Sequence, residues 1–418
     1  MNLDLPPLDP EHSADARVVL AVARAAATAG GRALLVGGFV RDALLSRLGR
    51  GQPSKDLDVE VFGVPLDGLR EMLARLGAVD EVGASFAVLR IRGIDVDFSL
   101  PRADTKEGEG HRGFLVAADP AMSYSDAARR RDFTLNSISL DPLTGEVIDP
   151  VGGVGDLTAG VLRATDVSTF GEDPLRALRA VQMAARFRLE PAPELPGLMA
   201  QQDLAELPAE RLEQELRKLL LRGVQPSLGI ALLRAGDCVS ALPGLGCSEA
   251  IWAQRSEALD RWATERSTRA TALAEGWTLL TWDATAEDRR ALLRRVRPPL
   301  AIQRAIEALS EPHALPQTEA QSRSLARRIG KNGVTLAGLL GVRSALGDPV
   351  GQASALASGA GVLHAPPTDV VMGRHLVATG FAPGPAFAGI LARCRALQDE
   401  TGLTDPDAIL AQVLPSKS

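Results

Sequence analysis

The sequence predicts an α+β protein, in which an N-terminal domain on a small mixed sheet is followed by an all-helical remainder. Between residues 31 and 145, short β-type runs are separated by turn residues, and several of them alternate. From about residue 160 onward, apolar residues recur at helical spacing and the breaks fall at Gly or Pro. Hydrophobic residues make up 45% of the 418 positions but aromatic ones only 4%. Cores built from Leu, Ala and Val favour helices, and this length predicts about two to four domains.

The N-terminal elements follow in a regular order. Residues 13–29 are predicted to form a helix, with Ser13 as its N-cap and Gly30 and Gly31 at its end. The predicted strands are RALLV, LDVEVFG, FAVLRIRG, IDVDFSL and SISLDP, and the helices among them are FVRDALLSRLG and LDGLREMLARLG. The clearest later helical patterns are DPLRALRAVQMAARF, AERLEQELRKLLL and LGIALLRAG.

Composition excludes several classes of protein. No apolar stretch approaches about 18 residues and no basic start precedes an apolar segment, so we expect neither a membrane span nor a signal peptide. Cys238, Cys247 and Cys394 are widely spaced, which is typical of a reduced, cytoplasmic chain without a zinc site or disulfide framework. The net charge of −6 disfavours non-specific coating of nucleic acid. Arginine-dense stretches such as EDRRALLRRVRPP are either solvated helix faces or a local basic surface.

Two carboxylates lie one residue apart in KDLDVEV, which alternates like a strand. Because residues two apart on a strand point to the same face, Asp56 and Asp58 project together. Adjacent carboxylates repel unless a positive group lies between them. Mg²⁺ is commonly held by one or two carboxylates together with substrate phosphates. The alternative is an exposed strand face with two solvated aspartates.

A candidate phosphate site lies just upstream of this pair. LLVGG is a strand that enters a turn at Gly37 and Gly38 before a helix, so backbone N–H groups can face a phosphate. An ordinary tight turn is the alternative, and the spacing of a dinucleotide fingerprint is absent. The strand GIDVDFSLPR places Asp95 and Asp97 on one face. Either residue supplies the third carboxylate that a two-metal site typically needs.

The order of these motifs resembles that of the polymerase-β-type nucleotidyltransferases, specifically the family of class II tRNA nucleotidyltransferases and bacterial poly(A) polymerases. G-G-x-V-R-D followed by D-x-D opens the series, and further family motifs follow in the family's order. These motifs are RRRDFTLNSIS, DPVGGVGDL, EDPLRALRA, AERLEQELRKLL and the late GRHLVATGFAPGPAFAGIL. The resemblance is dense over residues 34–222. Residues 240–365 match no family motif, so no RNA-binding residue is assigned.

The resemblance implies a polymerase-β-like nucleotidyltransferase head followed by an elongated helical neck, body and tail. We expect an N-terminal helix in residues 1–30, the head in 31–145, a nucleotide-selecting neck in 146–235, a body in 236–330 and a tRNA-contacting tail in 331–418. The implied activity is template-independent addition of C and A to the tRNA 3′ end from CTP and ATP, with Mg²⁺ as cofactor and release of pyrophosphate. Alternatives with the same chemistry are an A-adding or CC-adding member of a split system and a poly(A) polymerase.

The resemblance also implies roles for individual residues. Aligned on DFSLPR, Asp97 takes the place of the family's strand-borne acid. The expected catalytic residues are therefore Asp56, Asp58 and Asp97, and the first two are the expected metal ligands. Arg131 and Asp132 are expected to hold the triphosphate and the ribose. The expected nucleotide-binding residues are Gly37, Gly38, Arg41, Arg131, Asp132, Asn136, Glu172, Asp173, Arg176 and Arg179. For Arg41 and Asp42, a structural pair that fixes the glycine turn and a direct contact with substrate are equal alternatives.

The motif EDPLRALRA is expected to select the base. On a helix, Glu172 and Arg176 are four residues apart, and Asp173 and Arg176 three, so these pairs share a face. An aspartate can accept from the amino group of C or A while an arginine donates to the ring acceptor. Because U and G present the opposite polarity, such a pair rejects them. A helix-stabilising salt bridge is the alternative reading.

Residues 101–129 are predicted to form a long, polar, glycine-containing loop. Long loops of this kind are usually functional or disordered. The resemblance implies that a flexible loop here is needed for the final A and is lacking in members that add only C. Its presence therefore favours CCA or A addition over CC addition alone. A non-catalytic RNA-binding module would have a broken acidic set, and a small-molecule nucleotidyltransferase would not need the E-D-x-x-R helix.

Overall fold

The computed structural model describes residues 5, 8–9, 11, 13–51, 57–82, 88–106, 114–266 and 271–414. The chain divides into two compact units by its internal packing. The first unit comprises Met1–Leu207 and Ala231–Cys238, and the second comprises Pro208–Ile230 and Val239–Ser418. Across these described ranges, no helix is long and apolar enough to cross a membrane.

The first unit contains all of the strands found in the described residues. They are β1 (Arg32–Val36), β2 (Leu57–Phe62), β3 (Val79–Val82), β4 (Val88–Ile91), β5 (Val96–Ser99), β6 (Arg102–Lys106), β7 (Phe114–Ala118), β8 (Ser139–Leu140), β9 (Val147–Ile148), β10 (Val161–Leu162) and β11 (Glu190–Pro191). Seven form one sheet in the order β3-β4-β5-β2-β1-β8-β9. Within it, β2 and β5 are parallel and the other neighbours are antiparallel. The predicted small mixed sheet is confirmed.

Helices of the first unit pack beside this sheet or follow it in the chain. They are α1 (Ala14–Thr28), α2 (Gly38–Arg47), α3 (Leu66–Ala74), α4 (Tyr124–Arg129), α5 (Gly153–Ala159), α6 (Leu175–Phe187) and α7 (Leu195–Ala200). Ser13 caps α1 by accepting the Ala16 N–H at 3.0 Å, as its position before an apolar run predicts. Gly37, the residue before α2, has a φ of +69°, a conformation in which glycine carries no steric penalty.

The rest of the described chain is helical. The remaining helices are α8 (Ala209–Arg222), α9 (Pro226–Ala235), α10 (Glu249–Glu265), α11 (Ala272–Leu280), α12 (Ala286–Val296), α13 (Leu300–Ser310), α14 (Glu319–Gly330), α15 (Leu336–Ala345), α16 (Gly351–Gly359), α17 (Gly373–Ala378), α18 (Ala386–Thr401) and α19 (Pro406–Val413). A buried carboxylate anchors the packing of α10 on α11. Glu275 accepts from the indole N–H of Trp262 at 2.9 Å and from Thr271 Oγ1 at 2.6 Å, which satisfies polar groups that would otherwise destabilise the core.

The prediction of a loop at residues 101–129 is wrong for the part of this segment that the structure describes. Strands β6 and β7 pair as an antiparallel ribbon, with Arg102 opposite Ala118 and Lys106 opposite Phe114, and α4 follows them. Backbone hydrogen bonds between paired strands form whatever the side chains are. The strand RADTK is polar, so its sequence shows no alternation of apolar and polar residues that would have predicted it. Residues 107–113, at the centre of the predicted loop, lie outside the described residues.

Candidate active site

Two acidic residues of the predicted set lie side by side on the sheet. In the parallel pair β2–β5, Asp58 is directly opposite Asp97. Glu60 and Ser99, two residues further along their strands, therefore lie on the same face. This face forms one wall of a cavity of about 410 Å³. The cavity is lined by Val36, Asp58, Glu60, Val88, Asp97, Ser99, Arg102, Ala127, Arg130 and Arg131.

A cation already accompanies the Asp97 carboxylate. Arg90 lies on β4, the strand next to β5, and its guanidinium binds both carboxylate oxygens, with Nη2 at 2.9 Å from Oδ2. The hydrogen bond and charge of Asp97 raise the pKa of Arg90. Asp97 remains 32% exposed, so its carboxylate is accessible from the cavity. Arg90 was not predicted from the sequence, because only the pairing of β4 with β5 brings it to Asp97.

The opposite wall of the cavity carries arginines. Arg131 lies 3.5 Å from the Glu60 carboxylate (Nη2 to Oε2), and Arg130 is the neighbouring lining residue. Gly37 lies close to both walls, because a Cβ at this position would be 3.4 Å from Arg131 Nη1 and 3.7 Å from Asp58 Oδ2. A side chain there would narrow the space between acid and arginine. Gly37 and Arg131, which are both expected to bind phosphate, thus lie next to each other.

Arg41 and Asp42, whose role the sequence left open, are both buried. Arg41 Nε donates to Asp42 Oδ1 at 2.7 Å, and Nη1 donates to Asn136 Oδ1 at 2.6 Å. Its guanidinium also stacks on the ring of Phe187, 4.5 Å from the centroid. Burial lowers the pKa of Arg41, although the Asp42 carboxylate opposes this shift. The geometry favours the structural alternative, in which the pair fixes the start of α2.

Asp132 continues this network. Its Oδ1 accepts from Asn136 Nδ2 at 2.8 Å and from the Phe133 N–H at 2.8 Å, while its Oδ2 accepts from Arg179 Nε at 2.6 Å. Burial opposes ionisation of Asp132, but the charge of Arg179 and these hydrogen bonds hold the pKa of the carboxyl below its usual value. Asp132 is therefore an ionised, enclosed acceptor that orients Arg179 and Asn136.

The helical arrangement predicted for Glu172 and Asp173 is wrong. Helix α6 begins at Leu175, Glu172 ends a short 3-10 helix, and Asp173 is extended, with φ −133° and ψ 104°. Pro174 explains the difference, because a residue before proline is disfavoured in the α region. The pairs with Arg176 therefore do not share one helix face through i,i+3 and i,i+4 spacing.

The same segment nevertheless lies close to the cavity. Asp173 Oδ1 accepts the Leu175 N–H at 3.0 Å, which satisfies an N–H at the start of α6. Arg176 donates from Nη1 to the Thr169 carbonyl at 2.7 Å and from Nη2 to the Arg130 carbonyl at 3.1 Å. Since Arg130 lines the cavity, Arg176 joins the start of α6 to the arginine wall.

The residues present fit a divalent cation, although Asp56 lies outside the described residues. In the described chain, no group of three His, Cys, Asp or Glu side chains is placed to hold a metal ion. Asp58 and Asp97 supply carboxylate oxygens, which hard cations prefer. Nucleotidyltransferases of this kind are generally metal-dependent.

Comparison with known proteins identifies the N-terminal domain. Residues 33–163 match the family described as the poly A polymerase head domain. A curated relative, the "Multifunctional CCA protein" of Xanthomonas campestris pv. campestris (strain B100), is 40% identical over 217 residues, 50% of each chain. The protein of the same name from Stenotrophomonas maltophilia (strain R551-3) is 41% identical over 233 residues, 53% of this chain and 54% of that one. The chain thus spans about half the length of the curated relatives it matches.

Solved structures extend the likeness in fold over the whole chain. The CCA-adding enzyme of Bacillus stearothermophilus, in complex with CTP, aligns with a TM-score of 0.70 at 21% identity, over 96% of this chain and 97% of that one. The Thermotoga maritima CCA-adding enzyme complexed with tRNA aligns with a TM-score of 0.65 at 19% identity, over 100% and 98%. The motif order, the head domain and the fold agree. Residues 33–163 therefore belong to the poly A polymerase head domain family, and the fold of the chain is similar to that of CCA-adding enzymes.

Proposed function

We propose that the protein is an enzyme that adds C and A to the 3′ end of tRNA without a nucleic-acid template, using CTP and ATP and releasing pyrophosphate. The observation that carries this proposal is the cavity in which Asp58 and Asp97 lie opposite one another and face a wall formed by Arg130 and Arg131. Acidic residues beside arginines suit a reaction between a hydroxyl and a triphosphate. The curated relatives are named for CCA, and structural neighbours were solved with CTP, ATP and tRNA.

In this proposal the arginine wall binds the triphosphate. The forked guanidinium of Arg131 matches phosphate oxygens, and Glu60 keeps that guanidinium in place. Gly37 carries no side chain that would occupy the space between Arg131 and Asp58. Asp56 and Asp58 would hold Mg²⁺, with Asp97 as the third carboxylate, and the bound metal would supply the positive charge that nucleotidyl transfer requires. Arg90 shields Asp97 in the structure as described.

Selection of C and A is assigned to the start of α6. Asp173 and Arg176 provide an acceptor and a donor, the combination that matches the pairing edges of C and A. Support comes from the hydrogen bond of Arg176 to the Arg130 carbonyl, because it connects the selecting segment with the triphosphate wall. Asp132 acts indirectly in this scheme, since its carboxylate is occupied by Arg179 and Asn136. Because tRNA maturation takes place in the cytoplasm of bacteria, we expect the protein to act there.

A direct test supplies the purified protein with three tRNAs, which end before the first C, after one C and after CC. Each is incubated with Mg²⁺ and one NTP at a time. The proposal predicts incorporation of C into the first two tRNAs and of A into the third. Addition of A to the CC-ended tRNA alone identifies a member of a split system, and open-ended A tails identify a poly(A) polymerase. Absence of incorporation into every tRNA contradicts the enzyme.

A further inference from the structure

Four charged side chains lie side by side across one face of the main sheet. Asp58 on β2 is opposite Asp97 on β5. The register of β4 against β5 places Arg90 opposite Asp97, and Arg90 is in turn opposite Asp80 on β3. Residues that are directly opposite one another on neighbouring strands share a face of the sheet. Asp58, Asp97, Arg90 and Asp80 therefore form one charged row, with a single cation between acidic neighbours.

Arg90 has an aspartate on either side in this row and binds the one that lines the cavity. Its Nη2 lies 2.9 Å from Asp97 Oδ2, and its Nε donates to Asp97 Oδ1. The aspartate on the other side, Asp80, is bound instead by Arg92, with Nη2 at 2.8 Å from Oδ1. The hydrogen bond and charge of Asp97, together with the charge of Asp58, raise the pKa of Arg90. The guanidinium is thus a permanent positive charge on the acidic wall of the cavity.

The pair of Arg90 and Asp97 is exposed enough to be displaced. The two side chains are 43% and 32% exposed, and exposed ion pairs contribute little net free energy, because water screens them and holding a long side chain in place costs entropy. A divalent cation between Asp58 and Asp97 would carry twice the charge of a guanidinium. Because like charges repel, Arg90 beside Asp97 weakens the binding of such a cation, and the cation weakens the hold of Arg90.

We propose that Arg90 is a positioning residue that competes with the divalent cation for the carboxylate of Asp97. The inference rests on the proposed function, in which Asp97 is the third carboxylate of the site. Before a cation binds, Arg90 offsets the repulsion between the adjacent carboxylates of Asp58 and Asp97. When a cation takes Asp97, Arg90 can turn to Asp80, its other cross-strand neighbour. Arg90 therefore sets the concentration of cation at which the site fills.

The test measures binding of Mn²⁺ to the full-length protein without nucleotide or RNA, from the electron paramagnetic resonance signal of the free ion. Mn²⁺ accepts the same oxygen ligands as Mg²⁺. The wild type is compared with Arg90→Gln and with the control Arg70→Gln, whose arginine is also 43% exposed. Arg70 pairs with Glu81, which follows Asp80 on β3 and so lies on the other face of the sheet. Circular dichroism checks that each variant retains the fold.

Competition predicts that Arg90→Gln binds Mn²⁺ about three- to fivefold more tightly than the wild type, which corresponds to the strength of one exposed ion pair. Arg70→Gln should match the wild type. Asp97→Asn removes the contested carboxylate, so Arg90→Gln/Asp97→Asn should bind Mn²⁺ no more tightly than Asp97→Asn alone. In tRNA extension by Arg90→Gln, the Mg²⁺ concentration for half-maximal incorporation should fall by a similar factor, which the loss of a merely structural contact would not cause.

An equal or weaker affinity of Arg90→Gln for Mn²⁺, with tRNA extension intact, would overturn the inference and leave the proposed function standing. A gain in affinity that persists when Asp97 is also replaced would overturn it too, since Arg90 would then act only through its distant charge. So would absence of Mn²⁺ binding in every variant, because Arg90 would have no cation to compete with. If Arg90→Gln shows the predicted gain but the wild type extends no tRNA, the proposed function fails and the competition stands.

Discussion

Asp132 shows how a residue with a recognisable motif position can act through its neighbours. The motif assigned it to the ribose, but the structure places its carboxylate in bonds to Arg179, Asn136 and a backbone N–H. An enclosed carboxylate of this type stabilises the fold only while it is ionised. Because its pKa is depressed in the folded state, its contribution is present above the unfolded pKa of about 4 and is lost as the pH falls through the lower folded value.

Asp132→Asn is therefore expected to lower the free energy of unfolding by about 3 kcal/mol near pH 7, because Arg179 would lose its buried partner. The difference from the wild type should shrink as the pH falls below about 4, where the wild-type carboxyl also becomes protonated. Urea unfolding at several pH values measures both effects. Asp80→Asn, at a surface pair with Arg92, should have little effect. A difference that does not change with pH would show that ionisation of Asp132 does not stabilise the fold.

Asp58→Asn tests the acidic side of the cavity. The variant should retain the fold, because this side chain is exposed, while nucleotide incorporation falls at least about 100-fold, the loss expected when about 3 kcal/mol of transition-state stabilisation disappears. Incorporation of labelled CTP into tRNA measures the effect. Asp67→Asn, with a side chain that is 89% exposed, provides the control and should retain full activity. Equal activity in the two variants would exclude Asp58 from the chemistry.

At the residue scale, the sequence predicted on which face of a strand a site residue lies better than it predicted which residues contact it. Strand periodicity alone placed Asp58 and Asp97 on the exposed side of their strands. Their register across β2 and β5 required the topology, since two other strands lie between them in the chain. Arg90 and Glu60 were missed, although Glu60 continues the spacing of two that begins at Asp56. That spacing could have identified Glu60, whereas no local pattern could have identified Arg90.

At the scale of elements, Arg50 connects α5 with the end of α6. Its guanidinium donates to the carbonyls of Leu157, Phe187 and Arg188, at 3.1, 2.9 and 3.1 Å. Removing a charged donor leaves several carbonyls without a partner, and each such loss costs about 1 to 3 kcal/mol when the group is buried. The side chain therefore stabilises the packing of α5 against the end of α6.

Arg50→Ala is expected to lower the free energy of unfolding by about 2 to 3 kcal/mol. Chemical denaturation measures the change. Arg24, an exposed residue on α1, provides the control, and Arg24→Ala should change stability by less than about 0.5 kcal/mol. A similar small effect of Arg50→Ala would mean that water replaces its hydrogen bonds without loss.

The ribbon formed by β6 and β7 gives a prediction about the final nucleotide. Deletion of residues 104–114 removes three of the five residues of β6 and the first residue of β7, and it should abolish incorporation of A while sparing that of C. The test supplies tRNA ending before the first C, together with CTP alone or CTP and ATP, and the lengths of the products are measured. Equal loss of both nucleotides would contradict a specific role in A addition.

Element boundaries were predictable wherever caps and periodicity agreed. Ser13 and Gly30 bounded α1 as expected, and the apolar alternation of LDVEVF gave β2. The prediction was wrong where proline overrode helical spacing, at Pro174, and where hydrogen bonding between polar strands left no apolar pattern, at β6 and β7. Both errors have local physical causes. Both also fall beside the candidate site, where the sequence serves purposes other than packing.

At the scale of the whole molecule, the chain consists of two compact units with different architectures. The first unit has the strands and the acidic cavity, and the described part of the second is helical. The composition predicted this division, since the β-type runs end before about residue 160. It did not predict that the chain returns to the first unit at Ala231–Cys238, because such packing depends on contacts distant in sequence.

The proposed activity of this chain is completion of tRNA 3′ ends with C and A. The most direct measurement incubates tRNA lacking its 3′ CCA with the purified protein, Mg²⁺ and all four NTPs, and then sequences the 3′ ends of the products. Extended tRNAs should end in CCA and grow no further, and Asp58→Asn should yield none of them. Extended products that contain U or G, that continue as A tails, or that are absent with the wild-type protein would contradict it.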